Sequence, residues 1–333
     1  MGNAKFAVSF AGPLVTFQDA GRPGNMRYGV SASGPMDRLA FEAGNQALGN
    51  PPGSTAIEIS LGGLMLQCTE GAVTVAITGG DFVVEHAGQK TGSWTILTIR
   101  KGERLAIRAG QAGSWAYLAF AGALNSEAWL GSQATHAASG FGGGAVQGGQ
   151  TLVVSDAAIR EDRAGEVAKP DIVSDGPIRV VPGPQDQYFA DGAMSRLLTE
   201  PFTVTDAYDR MGMRLKGPAL NLERALSIPS EPIVRGSIQV SGDGVPTVLF
   251  ADHQTTGGYP KIATVISCDT DRLSQLRAGQ SFRFASISAE QAVKDVRGYA
   301  VQKAQYLSEI SVPRGTLAQR LMRENLIHGC VFD

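Results

Sequence analysis

The feature that most limits the fold is a rhythm. From residue 7 onward, short β-branched and apolar runs recur, VSFAG, LVTFQD, TAIEIS, LMLQC, AVTVAITG, DFVVEH, WTILTI, RLAIRA, WAYLAFAG and TLVVS, and glycine punctuates the gaps. Several runs alternate apolar with polar residues, the period of a half-buried strand. The 42 glycines and the charged fraction of 18%, against an ordinary share of about 25%, fit many short strands joined by tight turns. ITGGD (77–81) reads as one such turn.

One helix interrupts the first half. SGPMDRLAFEAGNQALGN places Ser33 near the N-cap, Pro35 in the first turn and Gly49 just past the end. Residues 155–177, charged and aperiodic, read as a linker. A second β-rich half follows from Ile178, with short helices near AMSRLL and DRLSQL. After about Ala289 the pattern becomes a helical tail, EQAVKDVRGYAVQKAQYLSEI, then a break at Pro313 and TLAQRLMRENL. An RAGQ turn occurs in each half, at 108–111 and 277–280, and makes a duplicated β-barrel plausible. The expected organisation is 1–160, a linker 161–177, 178–288 and a tail 289–333.

Several function classes are disfavoured. With 29 basic and 31 acidic residues, the net charge of −2 offers no footprint for nucleic acid or a membrane surface. Cys68, Cys268 and Cys330 are scattered, without CxxC, and read as free thiols of a reducing compartment. No HxH or HExxH joins the four histidines, so no metal site is expected. The N-terminus shows no signal-peptide pattern and no stretch has membrane-span length, so the cytoplasm is the expected location. GFGGGAVQGGQ lacks GK[ST] and reads as a turn region, not a phosphate loop.

Polar chemistry concentrates in a few stretches. ADHQTTGGYPKIATV (251–265) carries more than a turn needs. Asp252 is a candidate proton acceptor, Gln254 and Thr255 can read an amide or urea-like group, Tyr259 offers a ring face, and Lys261 can steady a developing anion. Gly257 and Gly258 permit positive φ, which would turn backbone N–H groups into a site. Gln239 and Ser237, on the preceding strand, are expected to face the same space. In YDRMGMRLKGP, Arg210 and Arg214 flank Gly212, and even spacing on a strand would put both guanidiniums on one face, suited to a carboxylate or phosphate. The plainer alternatives are a solvated hairpin loop and surface arginines paired to carboxylates.

Taken together, FQDAGRPG, GVSASGPMDRLAFEAGNQALGN, AIEISLGG, VPGPQDQYF, DRMGMRLKGP, SEPIVRGSIQV and ADHQTTGGYPKIATV resemble the biotin-dependent carboxyltransferase family, over roughly residues 7 to 290. That family includes KipA, the C subunit of 5-oxoprolinase and the second subunit of allophanate hydrolase, and is similar to the carboxyltransferase region of urea amidolyase. The resemblance implies a mostly β chain of two cyclophilin-like β-barrel domains with short helices and a helical C-terminal tail. It implies two partners, a KipI-like protein and a LamB/YcsF-like protein, in an ATP-dependent 5-oxoprolinase, a hydrolase converting 5-oxoproline to L-glutamate. ATP would act through the assembled complex. The alternatives are carboxyl transfer to urea or a related amide, with biotin on a separate carrier, and a non-catalytic KipA-type regulator binding a KipI-like kinase inhibitor. Carried over, the site comprises Lys261, Asp252, Arg210 and Arg214 as catalytic residues. Gln239, Gln254, Thr255, Thr256, Gly257, Tyr259, Ser237, Gly212, Asp37 and Met36 would bind substrate, with Gly34 beside them. The sequence departs from the family where Gln133 and Val146–Gln147 replace the usual arginines.

Overall fold

The computed structural model describes residues 2–183, 185–223, 228–315 and 319. The chain is mostly β. Eleven strands of the first half form one sheet, eight of the second half another, and Glu231–Pro232 pairs with Thr256–Gly257 as a separate ribbon. The second sheet runs in path order from Ser281–Phe282 to Phe284–Ser286. Only Arg283 separates these end strands in the chain, so the two edges meet and the sheet is nearly a closed barrel. Closure removes the unpaired edges that an open sheet would expose.

The first sheet is organised by one long antiparallel pair, Ala72–His86 against Arg104–Phe120. The residues expected to turn, 77–81, lie inside the first of these strands. The pairing register shifts between Gly79 and Asp81 and again between Asp81 and Phe82. Gly79 has φ +97°, and a Cβ there would press on the Trp115 carbonyl. The glycines therefore make a bulge that bends this strand pair. The first RAGQ likewise sits within the Arg104–Phe120 strand, whereas the second turns the chain before Ser281, so the two are not equivalent.

Helix α1 spans Arg38–Leu48 and buries Leu39, Ala40, Phe41, Ala43, Ala47 and Leu48. Its N-cap is Asp37, not Ser33: the Asp37 carboxylate accepts the Ala40 N–H at 2.9 Å. Pro35 therefore precedes the helix, and Gly49, at φ +73°, ends it in the expected place. Short helices α2 (Ala193–Thr199) and α3 (Ser267–Ser274) occupy the two expected places. The tail is helix α4, Ala289–Ser311, capped by Ser288. It lies on α1 through Lys303–Glu42 at 2.8 Å, and Tyr306 donates to the Ala168 carbonyl at 2.8 Å. The expected helix TLAQRLMRENL, and Cys330, lie outside the described residues.

Within the stretch 155–177, Gly165–Glu166 join the first sheet beside Thr95–Arg100, and Val167 is buried. The two sheets are tied across their boundary. Gln275 Oε1 accepts from the Ser114 and Trp115 N–H groups at 2.8 and 3.0 Å. Its Nε2 donates to Asp37 at 2.8 Å and to the Trp115 carbonyl at 3.0 Å. Trp115 Nε1 donates to the Tyr208 hydroxyl at 2.7 Å.

Candidate functional site

The 251–261 loop leaves the strand Pro246–Leu249 and returns as Lys261–Val265. Both strands flank Ser237–Val240, so Gln239 sits between the loop's two ends, opposite Thr247 on one side and Lys261 on the other. Beside them opens a cleft of about 370 Å³ whose lining includes Gly212, Arg214, Gln239, Ser241, Gln254 and Tyr259. Five residues expected from the sequence thus meet in one cavity. Gln254 Nε2 donates to Gln239 Oε1 at 3.0 Å, and Gln239 Nε2 reaches the Tyr259 carbonyl at 3.5 Å. Arg214 lies on the strand Gly212–Lys216 and bonds Asp243 at 2.6 Å, with 43% of its side chain exposed. Tyr259 is 47% exposed and borders the cleft.

Lys261 is not in that lining. It is 8% exposed, with its ammonium 3.3 Å from both Glu231 Oε2 and the Pro232 carbonyl. It therefore stands one strand from Gln239, beside the ribbon that Glu231–Pro232 makes with Thr256–Gly257. Thr255 anchors this ribbon by accepting the Ile233 N–H at 3.1 Å, and Thr256 is exposed. Neither Gly257 nor Gly258 takes a positive φ, so the expectation of left-handed backbone fails. Space dictates Gly257 instead: a Cβ there would run into Gln239 Nε2.

The arginine pair does not share a face. Arg210 precedes its strand and turns inward, 1% exposed. It bonds Asp252 at 2.9 and 3.0 Å, the Gly34 carbonyl at 2.7 Å, and Glu58 of the first sheet. The even-spacing rule fails because Asp209 Oδ1 accepts the Met211 and Gly212 N–H groups and makes 209–212 a turn, which reorients Arg210. Asp252 also accepts the Ala137 N–H at 2.9 Å. Burial raises the Asp252 carboxyl, but the Arg210 charge and hydrogen bonds more than reverse this and hold it below the usual carboxylate range. Burial pushes Arg210 down, and the Asp252 and Glu58 charges outweigh it to hold the guanidinium above its ordinary value. Arg210 and Asp252 thus anchor the start of the loop to the first half. A sealed, ionised Asp252 is poorly placed as a proton acceptor.

The remaining candidates lie elsewhere. Ser237 is buried at its strand's start, where its hydroxyl accepts the Val234 N–H at 3.3 Å. Met36 is fully buried: its N–H donates to Glu58 at 2.7 Å and its carbonyl accepts from Arg235 and Ser274. Asp37 lines a different cavity, of about 280 Å³, with Asp271, Gln275 and Tyr299. Burial, then the Asp271 charge, pushes its carboxyl up to about 7. Gln133, in place of arginine, bonds Thr55 and the Ser126 carbonyl. Glu58 is the partner that sequence reasoning misses. Its only signal is a glutamate alternating with apolar residues on a strand, in AIEIS. Among the described residues no group of three or more His, Cys, Asp or Glu side chains could hold a metal ion, and no helix is long and apolar enough to cross a membrane.

The chain matches the family model described as "carboxyltransferase domain, subdomain A and B" over residues 28–286. It is 34% identical over 284 residues to the 5-oxoprolinase C subunit of Haemophilus influenzae, spanning 84% of this chain and 90% of that protein. It is 29% identical over 306 residues to a putative urea carboxylase of Emericella nidulans, spanning 86% of this chain but 24% of that one. Among solved structures, TTHA0988 superposes with a TM-score of 0.76 at 30% identity, covering 85% of this chain and 55% of that chain.

Proposed function

The chain belongs to the family of carboxyltransferase domains built from subdomains A and B, and from that premise we propose that it is the C subunit of an ATP-dependent 5-oxoprolinase. It would open 5-oxoproline to L-glutamate together with KipI-like and LamB/YcsF-like chains in the cytoplasm. The observation that carries this reading is the cleft that brings Arg214, Gln239, Gln254 and Tyr259 together. The near full-length likeness to a 5-oxoprolinase C subunit supports it.

The substrate is a small ring amide bearing a carboxylate, and the cleft offers a group for each part. Gln254 spends one N–H on Gln239, which leaves its oxygen to accept the lactam N–H. Arg214 is held by an exposed ion pair of the kind worth little in water, so its fork can turn onto the substrate carboxylate bidentately. The Tyr259 ring borders the cleft and can cover the bound ring. The Lys261 ammonium, outside the cleft lining, acts in this reading by holding the Glu231–Pro232 ribbon that positions Gln239. Arg210 and Asp252 position the loop and do not touch the ring. A cleft of about 370 Å³ is within the range of small-molecule sites and suits such a substrate, and ATP is assigned to a partner chain in this reading.

The test is to assemble the chain with its KipI-like and LamB/YcsF-like partners and measure ATP-dependent glutamate release from 5-oxoproline. Turnover that requires this chain and collapses in Lys261→Ala upholds the reading. A well-formed complex without turnover sinks it, and carboxylation of urea with biotin on a carrier is then the reaction to assay.

A further inference from the structure

Three neighbouring strands of the second sheet, Gly212–Lys216, Pro246–Leu249 and Ser237–Val240, run side by side at the Gln239 cleft. Their register sets Arg214 opposite Thr247, and Thr247 opposite Gln239. Directly opposed residues of antiparallel strands project from the same face, so the three side chains form one row with Thr247 at its centre. All three line the cleft. Gly212, on the same strand and face as Arg214, leaves the row its room: a Cβ there would stand 3.1 Å from Thr247 Cγ2.

The outer members of the row have work in the proposed reaction, and Thr247 has none. It is half-buried, and its hydroxyl has no hydrogen-bond partner among the described residues. The Ser241 hydroxyl, in the same lining, is committed to Asp243 at 2.6 Å. The Tyr259 hydroxyl belongs to a side chain at the cleft's border, 47% exposed. A ring amide bearing a carboxylate has three polar parts. Arg214 suits the carboxylate and the Gln254 oxygen suits the N–H, which leaves the lactam oxygen to be met. An acceptor taken out of water without a donor costs binding, so the group that meets it governs which rings are held.

We propose that Thr247 is a specificity residue of this cleft, its hydroxyl donating to the carbonyl oxygen of the bound amide. The inference rests on the 5-oxoproline reading for its ligand, but its test needs no turnover. The test is calorimetric titration of the full chain, alone and in the assembled complex with ATP withheld. The probes are 5-oxoproline and cyclopentanecarboxylate, which keeps the ring size and the carboxylate and lacks the amide. Saturable binding of 5-oxoproline is expected. Thr247→Val keeps the β-branched shape and removes the donor. It should weaken 5-oxoproline about tenfold, the order of one hydrogen bond, and leave cyclopentanecarboxylate unchanged. Thr247→Ser returns the hydroxyl and should restore 5-oxoproline binding, which decides the matter if the analogue binds too weakly to measure. Binding that depends on Thr247 in a complex without turnover sinks the oxoprolinase reading and upholds this one. A Thr247→Val chain that binds 5-oxoproline as the wild type does, or that loses both probes alike, overturns the proposal even where the wild type turns over. Absence of saturable 5-oxoproline binding overturns it as well.

Discussion

Two arginines four residues apart illustrate how burial decides a side chain's work. Arg214 is 43% exposed and faces the cleft; Arg210 is sealed among two carboxylates and a carbonyl. Replacing Arg214 with Gln should move stability by less than about 0.5 kcal/mol. In the assembled enzyme it should raise KM for 5-oxoproline by about tenfold, the order of one charged hydrogen bond, with kcat less affected. A changed kcat at constant KM would count against its carboxylate-binding role. Arg210→Met should cost about 3–5 kcal/mol, because it strands Glu58 and Asp252 as unpaired buried charges, and urea unfolding reads that loss directly. Asp37 gives a pH signature of a definite sign. Its folded pKa is raised to about 7, while an unfolded aspartate titrates near ~3.9. The folded state therefore binds the extra proton between these values, and stability contributed by Asp37 falls as pH rises from about 4 to about 7 and levels off above. Asp37→Asn keeps an N-cap acceptor and removes the titration, so its melting temperature should vary less with pH across that window than the wild type's.

At the scale of elements, the ribbon of Glu231–Pro232 and Thr256–Gly257 sets the position of Gln239. Gly257→Ala would drive its new methyl into the Gln239 amide, the mobile end of a flexible side chain. The expected result is little loss of stability but reduced turnover, as the Gln239–Gln254 hydrogen bond is displaced; a variant with unchanged kcat/KM would remove Gln239 from the site. Much of this is legible in the sequence. The strand rhythm, the α1 region, the helical tail and the polar loop all follow from local periodicity and turn chemistry, which one chain segment carries by itself. What is not legible depends on distant partners. The Gly79 bulge exists because a strand some 35 residues away presents the Trp115 carbonyl there. Asp37 outcompetes Ser33 as N-cap because its main-chain N–H meets the Tyr117 hydroxyl and its carboxylate meets Gln275. Arg210 looks like a ligand-binding arginine until Glu58, 152 residues away, is brought against it.

The whole molecule is two sheets that share buried polar groups, and this distinguishes it from two barrels on a string. The Gln275 side chain alone spans the boundary with four hydrogen bonds, to Ser114, Trp115 and Asp37. Arg277 adds bonds to the Gly113 and Gly110 carbonyls at 2.7 and 2.9 Å, and Arg38 pairs with Asp271 at 2.9 Å. If the second sheet unfolded alone, Glu58 and Asp37 would lose partners, and if the first did, Tyr208 would, a penalty of about 1–3 kcal/mol for each stranded group. That coupling makes independent unfolding unfavourable even though chains of this size commonly unfold in steps. The wild type should therefore show a single calorimetric transition whose van't Hoff and calorimetric enthalpies agree. Gln275→Ala removes the densest of these ties without touching either barrel's own ladder, and should lower the melting temperature and broaden or split the transition. Two resolved transitions in the wild type, or a Gln275→Ala trace superimposable on it, would mean that the sheets' own cores set their stabilities and that the boundary bonds only fix their orientation.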